Sequence, residues 1–147
     1  MNDRFSLDGR VAIITGGGSG IGRGAALVLA EHGADVVLAG RRPDPLESTV
    51  KEVEALGRRA VAVPTDVTRA AACQQLVDTT LREFGRVDIL VNSAGGAETK
   101  SILKWPDDDF EHVLALNFGA VWHLSRAAAK PMLEQGKGAI VDRKSVV

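Results

Sequence analysis

Eight residues, TGGGSGIG at Thr15 to Gly22, follow directly on an apolar run and lead into a helical pattern. Glycines at such a junction permit positive φ angles and close backbone approach. Free N–H groups at the start of the following helix favour an anion, typically a phosphate. A mononucleotide P-loop would need Lys and then Ser or Thr after its last glycine. Counted from Gly17, Arg23 and Gly24 stand in those places, so no hydroxyl is available for magnesium and the P-loop is excluded. The dinucleotide spacing GxGxxG/A is met by Gly20, Gly22 and Ala25. The competing reading is a tight turn that binds nothing.

A second candidate is AGRRP, where Gly40, Arg41 and Arg42 end the second apolar run. In dinucleotide sites an acidic residue about 20 positions past the glycines grips the ribose 2′-hydroxyl, whereas arginine accommodates a 2′-phosphate. No acid occurs here before Asp44. A guanidinium can fork onto a phosphate that a carboxylate would repel, so the pattern favours NADP(H) over NAD(H). The bland alternative is a solvated turn. Asn117 is a third candidate, because it falls on the apolar stripe of a helix with Phe110, Leu114, Val121, Leu124 and Ala128. A buried amide needs partners. A neighbouring backbone at a bend near Gly119 would supply them.

Short apolar runs alternate with helical stretches. Strands are expected at Val11–Thr15, Val36–Ala39, Ala60–Val63, Val87–Val91 and Ala139–Val141. The first helix starts at Ile21, buries Ile21, Ala25, Val28 and Leu29, and ends at Gly33. Asp44, Pro45 and Glu47 spell the start of the second, with Leu46, Val50 and Val53 as its stripe. Thr68 caps the third, striped by Cys73, Leu76, Val77, Leu81 and Phe84 and ended by Gly85. The fourth runs from about Asp107 to Glu134, and its acidic start Asp107–Asp109 suits the positive end of the helix dipole. Such alternation implies right-handed βαβ crossovers and a doubly wound parallel sheet in the order 3-2-1-4-5.

The totals narrow the function. At 147 residues, 45% hydrophobic and 25% charged, the chain suits a single globular domain. A net charge of -1 argues against a nucleic-acid or anionic-membrane partner. No stretch is apolar enough to span a bilayer, no signal-peptide core opens the chain, and a cytoplasmic location is the expectation. Cys73, the only cysteine, reads as a packed helix residue. His32, His112 and His123 have no metal-ligand spacing, and no metal site is expected.

Several motifs in order resemble the classical short-chain dehydrogenase/reductase family. TGGGSGIG is similar to its TGxxxGxG loop, carried by Thr15, Gly16, Gly20 and Gly22. NSAG, Asn92 to Gly95, resembles its NNAG motif with Ser93 in place of the second Asn. Asp66 and Val67 resemble the pair that holds the adenine ring. LNFGAVWHLSRAA resembles the helix whose Asn belongs to a catalytic tetrad. The likeness runs from about Phe5 to Val141. It implies a Rossmann-type fold and alcohol/ketone interconversion by hydride transfer on a small molecule. The implied cofactor contacts are Thr15, Gly16, Gly18, Ser19, Gly20, Ile21, Gly22, Arg41, Arg42, Asp66, Val67, Asn92, Ala94 and Gly95. Relatives that prefer NADP(H) often have a second basic residue at the place of Ser19. Asn117 would hold a proton-relay water. The long helix at 107–134 would form part of a homo-oligomer interface.

Family members continue the fifth strand into NISS and later supply Tyr-x-x-x-Lys, the proton donor and its tuning partner. This chain ends GAIVDRKSVV and contains no tyrosine. Asp142, Arg143 and Lys144 replace the first three residues of that motif, and Ser145 lands where the catalytic Ser belongs. Two readings follow. One is the cofactor-binding part of such an enzyme, truncated after the fifth strand or with a non-native tail. The other is a catalytically inactive nucleotide-binding or interaction module. A flavodoxin-like signalling domain would need acids clustered at strand ends, where Thr15, Gly40 and Asn92 stand instead.

Overall fold

A computed structural model describes residues 3–143. In chain order they form β1 (Val11–Thr15), α1 (Gly20–Glu31), β2 (Asp35–Gly40), α2 (Pro43–Ala55), β3 (Ala60–Pro64), α3 (Ala70–Phe84) and β4 (Ile89–Asn92), then α4 (Asp107–Leu114), α5 (Ala120–Glu134) and β5 (Ala139–Asp142). A π turn, Ala115–Gly119, joins α4 to α5. The five strands are parallel and lie in the order β3-β2-β1-β4-β5, as the alternation predicts.

Side chains alternate across a strand, so each central strand feeds two cores. Ala12, Ile14, Val36 and Leu38 pack with Ala26 and Ala30 of α1 and Leu46, Val50 and Val53 of α2. Val11, Ile13, Val37 and Ala39 face the other way, onto Cys73, Leu76 and Val77 of α3 and Leu124 and Ala128 of α5. Burial on both faces is why β1 and β2 read as unbroken apolar runs. Each fully buried aliphatic side chain, such as Ile13 or Leu38, contributes about 1.5–3 kcal/mol.

Several local expectations change. The face that α1 buries is Gly22, Ala26 and Ala30, while Ile21 and Val28 are exposed. Small residues let α1 lie close to the sheet. The second helix starts at Pro43, not after Asp44, because Pro43 already has the fixed φ a first turn needs. Thr68 does not cap α3. Its N–H and hydroxyl both donate to Asp66 Oδ1, at 3.0 and 2.7 Å, and the helix begins at Ala70. Strand β4 begins at Ile89, because the backbone of Val87 bonds instead to the side-chain amide of Gln135, at 3.1 and 2.8 Å. The fourth helix is interrupted by the π turn, and Phe110 and Leu114, read as buried, are exposed.

The lower edge of the sheet is pinned by one carboxylate. Asp88, with its side chain 3% exposed, accepts hydrogen bonds from the Val11 N–H at 2.9 Å, from Arg86 at 2.6 Å through both oxygens, and from Arg10 at 3.2 Å. Burial works against its charge, but these donors outweigh burial and hold the carboxyl below its usual range. A depressed folded pKa gives stability that is fully present above the unfolded value of about 3.9 and is lost as pH falls through the folded value. Asp88→Ala should therefore destabilise the chain by about 2–3 kcal/mol near neutral pH, since it leaves the partners of a buried charge unpaired. Urea titrations read this directly. The gap to wild type should shrink in acid, and a gap independent of pH would contradict the ion cluster.

Candidate functional site

The carboxyl ends of β1, β2, β3 and β4 open into one groove of about 200 Å³. Ligands in open parallel sheets bind at this edge, where the strand order reverses. Gly16, Gly18 and Ser19 come from the β1–α1 loop, and Gly40, Arg41 and Arg42 from the end of β2. Thr65 to Thr68 follow β3, and Ala94 and Gly95 follow β4.

The loop is shaped by contacts that leave no room for a side chain. Gly16 has a φ of 67°, and a Cβ there would sit 3.2 Å from the Ala94 nitrogen. A Cβ on Gly22 would lie 2.2 Å from the Gly16 carbonyl oxygen. The first turn of α1 is thus pressed against the loop that precedes it. Ser19 precedes α1 with extended backbone and its hydroxyl caps nothing, so no capping side chain takes the helix's first N–H groups. Thr15 is buried behind the loop. Its Oγ1 accepts the N–H groups of Ser93 and Ala94, at 3.0 and 2.9 Å, and donates to the Val91 carbonyl at 3.5 Å. One hydroxyl so ties the loop after β4 to the end of β1.

Asp66 is exposed at the groove. The Thr68 hydroxyl and N–H, with Arg41 and Arg69 nearby, hold its carboxyl below the usual range. Both Thr68 bonds use Oδ1, and Oδ2 accepts no hydrogen bond from the described residues. Beneath it Cys73 is buried, with Sγ 3.3 Å from the Val67 carbonyl oxygen. Burial first, and then the Asp66 charge, push this thiol up to about 11, so it stays protonated and unreactive.

Gly16, Gly18, Ser19, Arg41, Arg42, Asp66, Val67, Ala94 and Gly95 therefore share the groove. Thr15, Gly20, Ile21, Gly22 and Asn92 do not line it. Thr15 and Gly22 support the loop from behind, and Gly20 and Ile21 form the first turn of α1. Asn92 is buried below, where its amide donates to Asp142 at 2.8 Å and Ser125 at 3.4 Å, and its Oδ1 has no partner among the described residues. Asn117 pairs with the backbone of Gly96. It accepts the Gly96 N–H at 3.2 Å and donates to the Gly96 carbonyl at 2.7 Å and the Val113 carbonyl at 2.9 Å. Those are the neighbouring-backbone partners that a buried amide required. Ser145 lies outside the described residues. The sequence reading did not place Pro45, Leu46, Thr65, Thr68, His112 or Leu116 at the groove. For His112 and Leu116 the signal was their i, i+4 spacing on one side of a helix.

A second cavity of about 260 Å³ adjoins the groove and shares His112 and Leu116 with it. Trp105, Val113 and Ala97 form its apolar side. Lys100 bridges Glu98 at 2.7 Å and Asp109 at 2.9 Å on the other, and these two carboxylates push its ammonium up to about 12.

Comparison with known proteins points one way. The sequence profile described as short chain dehydrogenase matches residues 10–147. The 2-dehydro-3-deoxy-D-gluconate 5-dehydrogenase of Escherichia coli (strain K12) is 40% identical over 134 residues, which are 91% of this chain and 52% of that enzyme. The crystal structure of a 7α-hydroxysteroid dehydrogenase complexed with NADH and 7-oxo glycochenodeoxycholic acid is 38% identical and superposes with a TM-score of 0.94, over 99% of this chain and 56% of that one. That of an NAD+-bound xylitol dehydrogenase is 34% identical with a TM-score of 0.89, over 92% and 53%. The chain spans about half the length of the curated relatives it matches.

The loop geometry is testable within one helix. Gly22→Ala places a methyl into the Gly16 carbonyl and should lower stability by about 2 kcal/mol or more, since overpacking against backbone forces the backbone to move. Gly24→Ala, with nothing within 4 Å of its added carbon, should be neutral or stabilise by about 0.5–1 kcal/mol. Thermal or urea unfolding of the two variants should separate them in opposite directions. Equal effects would mean that α1 does not sit against the loop as described.

Proposed function

The chain belongs to the short chain dehydrogenase family, and on that premise we propose that it binds NADP(H) in preference to NAD(H) and serves alcohol/ketone interconversion by hydride transfer. The observation that carries this reading is one groove uniting an uncapped glycine loop, an arginine pair and Asp66. The residues fit a dinucleotide. Gly16 and Gly18 let the loop backbone pack against Ala94 and Pro45 where a Cβ would collide, and α1 offers N–H groups to a diphosphate. Oδ2 of Asp66 can accept the amine of an adenine, and Val67 can lie against the ring. Arg41 and Arg42 end β2 where a dinucleotide's ribose is read, with no carboxylate between Gly40 and Arg42 to repel a 2′-phosphate. The two solved relatives above carry NADH and NAD+. The preference for the phosphorylated cofactor rests on the arginines of this chain alone.

When bound, the nicotinamide supplies or takes up the hydride. The residues here bind and orient. Thr15 and Asn117 fix the two ends of the loop after β4, at Ser93–Ala94 and at Gly96, so that its backbone flanks the groove. In the family reading Asn117 also steadies a proton-relay water. The substrate class is a secondary alcohol or its ketone, with the segment 95–108 as one wall of the pocket at most. The exposed stripe of Phe110, Leu114, Phe118 and Trp122 supports a homo-oligomer through α4 and α5. A second reading is kept for the 147-residue chain by itself. It contains no tyrosine, so the family's proton donor is missing from it and it would bind nucleotide without turnover.

Two measurements test this. Replacing both Arg41 and Arg42 with Ala should weaken NADP+ binding by about 10- to 100-fold, the loss expected for charged hydrogen bonds to a phosphate, while NAD+ changes by less than about threefold. Equal losses for both cofactors would refute the phosphate role. With saturating NADPH and a panel of ketones, the 147-residue chain should show no oxidation above background. Robust turnover would place the proton donor on a residue other than tyrosine.

A further inference from the structure

His112 and Leu116 form a wall of the groove that no role above uses. They stand one turn apart, on α4 and the π turn, and share the groove with Asp66, Val67 and Thr68. The packing explains the meeting. Helices α3 and α5 lie side by side on one face of the sheet, so the start of the α4–α5 rod stands beside the β3–α3 loop. Leu116 packs on the same apolar cluster as Val67, so this part of the groove wall is apolar. His112 is exposed, and its ring makes no hydrogen bond or ion pair with a described residue.

The geometry points to His112 as a specificity-determining residue that donates a hydrogen bond to a ring nitrogen of the bound adenine, opposite the carboxylate of Asp66. This inference rests on the dinucleotide reading above. Adenine presents an amine donor at N6 flanked by ring nitrogens, N1 and N7, that accept. Asp66 supplies the acceptor for the amine. Imidazole carries at least one N–H in either protonation state, so it can supply the donor for the adjacent nitrogen. Val67 and Leu116 would give the flat ring an apolar wall to lie against. An acceptor and a donor placed together read the adenine edge more narrowly than Asp66 alone could.

The test uses the 147-residue chain and measures equilibrium binding of NADP+ and of its 1-deazaadenine and 7-deazaadenine analogues, each lacking one ring acceptor. The wild-type chain should bind one of the two analogues about three- to tenfold more weakly than NADP+, the worth of one neutral hydrogen bond. His112→Leu should weaken NADP+ by the same factor and bind that analogue no worse than NADP+. His112→Gln keeps an N–H donor and should recover part of the difference. A wild-type chain that distinguishes neither analogue, or a His112→Leu variant that still distinguishes them, overturns the inference. A chain that binds no adenine dinucleotide overturns the dinucleotide reading itself, and this one with it. Binding that depends on the arginines but ignores both deaza substitutions overturns this one alone.

Discussion

The site depends on a contact that only two glycines allow. The α-carbon of Gly22 lies against the carbonyl of Gly16, where even a methyl group would be 2.2 Å from the oxygen. That contact brings the first turn of α1 directly over the end of β1. The groove, the direction of the helix N-terminus and the close packing of Ala26 and Ala30 on the sheet all follow from it. The buried face of α1 is small because the helix must come close, and it can come close because the face is small. The same economy explains why the exposed face keeps Ile21 and Val28 without cost to the core.

A second requirement is that loops from separate strands hold still relative to one another. The Thr15 hydroxyl does this for β1 and β4 with three hydrogen bonds, and it is buried, so water does not compete for them. Asp88 does the same at the opposite end of these strands, joining the Val11 N–H to two guanidinium groups. The two pins differ in kind. The hydroxyl is neutral and indifferent to pH, whereas the carboxylate works only while ionised. The groove edge is thus held by the neutral pin and the far edge by the charged one. An acid-induced loosening would start at the edge away from the groove.

Strand order and the location of the groove were legible in the sequence, and the reasons are physical. Apolar runs such as VAII can only be strands covered on both sides, and glycines followed by a helical pattern can only be a tight βα junction. Helix starts were less legible. Pro43 and Pro45 both fit the first turn, and the helix begins at the earlier of the two. Thr68 has a capping side chain, but Asp66 takes its hydroxyl and N–H first. The end of β4 nearest Val87 was lost to a side chain 48 residues away, Gln135, which imitates a neighbouring strand. Long-range capture of this kind leaves no periodic trace. The role of His112 at the groove was hidden for a related reason, since a helix face shows its neighbour only once the helices are packed.

The π turn at Ala115–Gly119 connects these observations. The Val113 carbonyl, one turn before Asn117, accepts the Asn117 side-chain amide at 2.9 Å. The same amide reaches the Gly96 carbonyl, so one side chain links the helix to the loop after β4. An inserted residue turns a helix by about 100° relative to the rest, because a turn takes 3.6 residues. The π turn therefore brings His112 nearly into line with Leu124, twelve residues on. Leu124 and Ala128 of α5 point into the core, while His112 and Leu116, with the latter inside the π turn, line the groove. In a continuous α-helix His112 and Leu124 would be turned about 120° from each other. Asn117 is then more than a satisfied polar group on an apolar stripe, because its bonds join the helix at the π turn to the loop that flanks the groove.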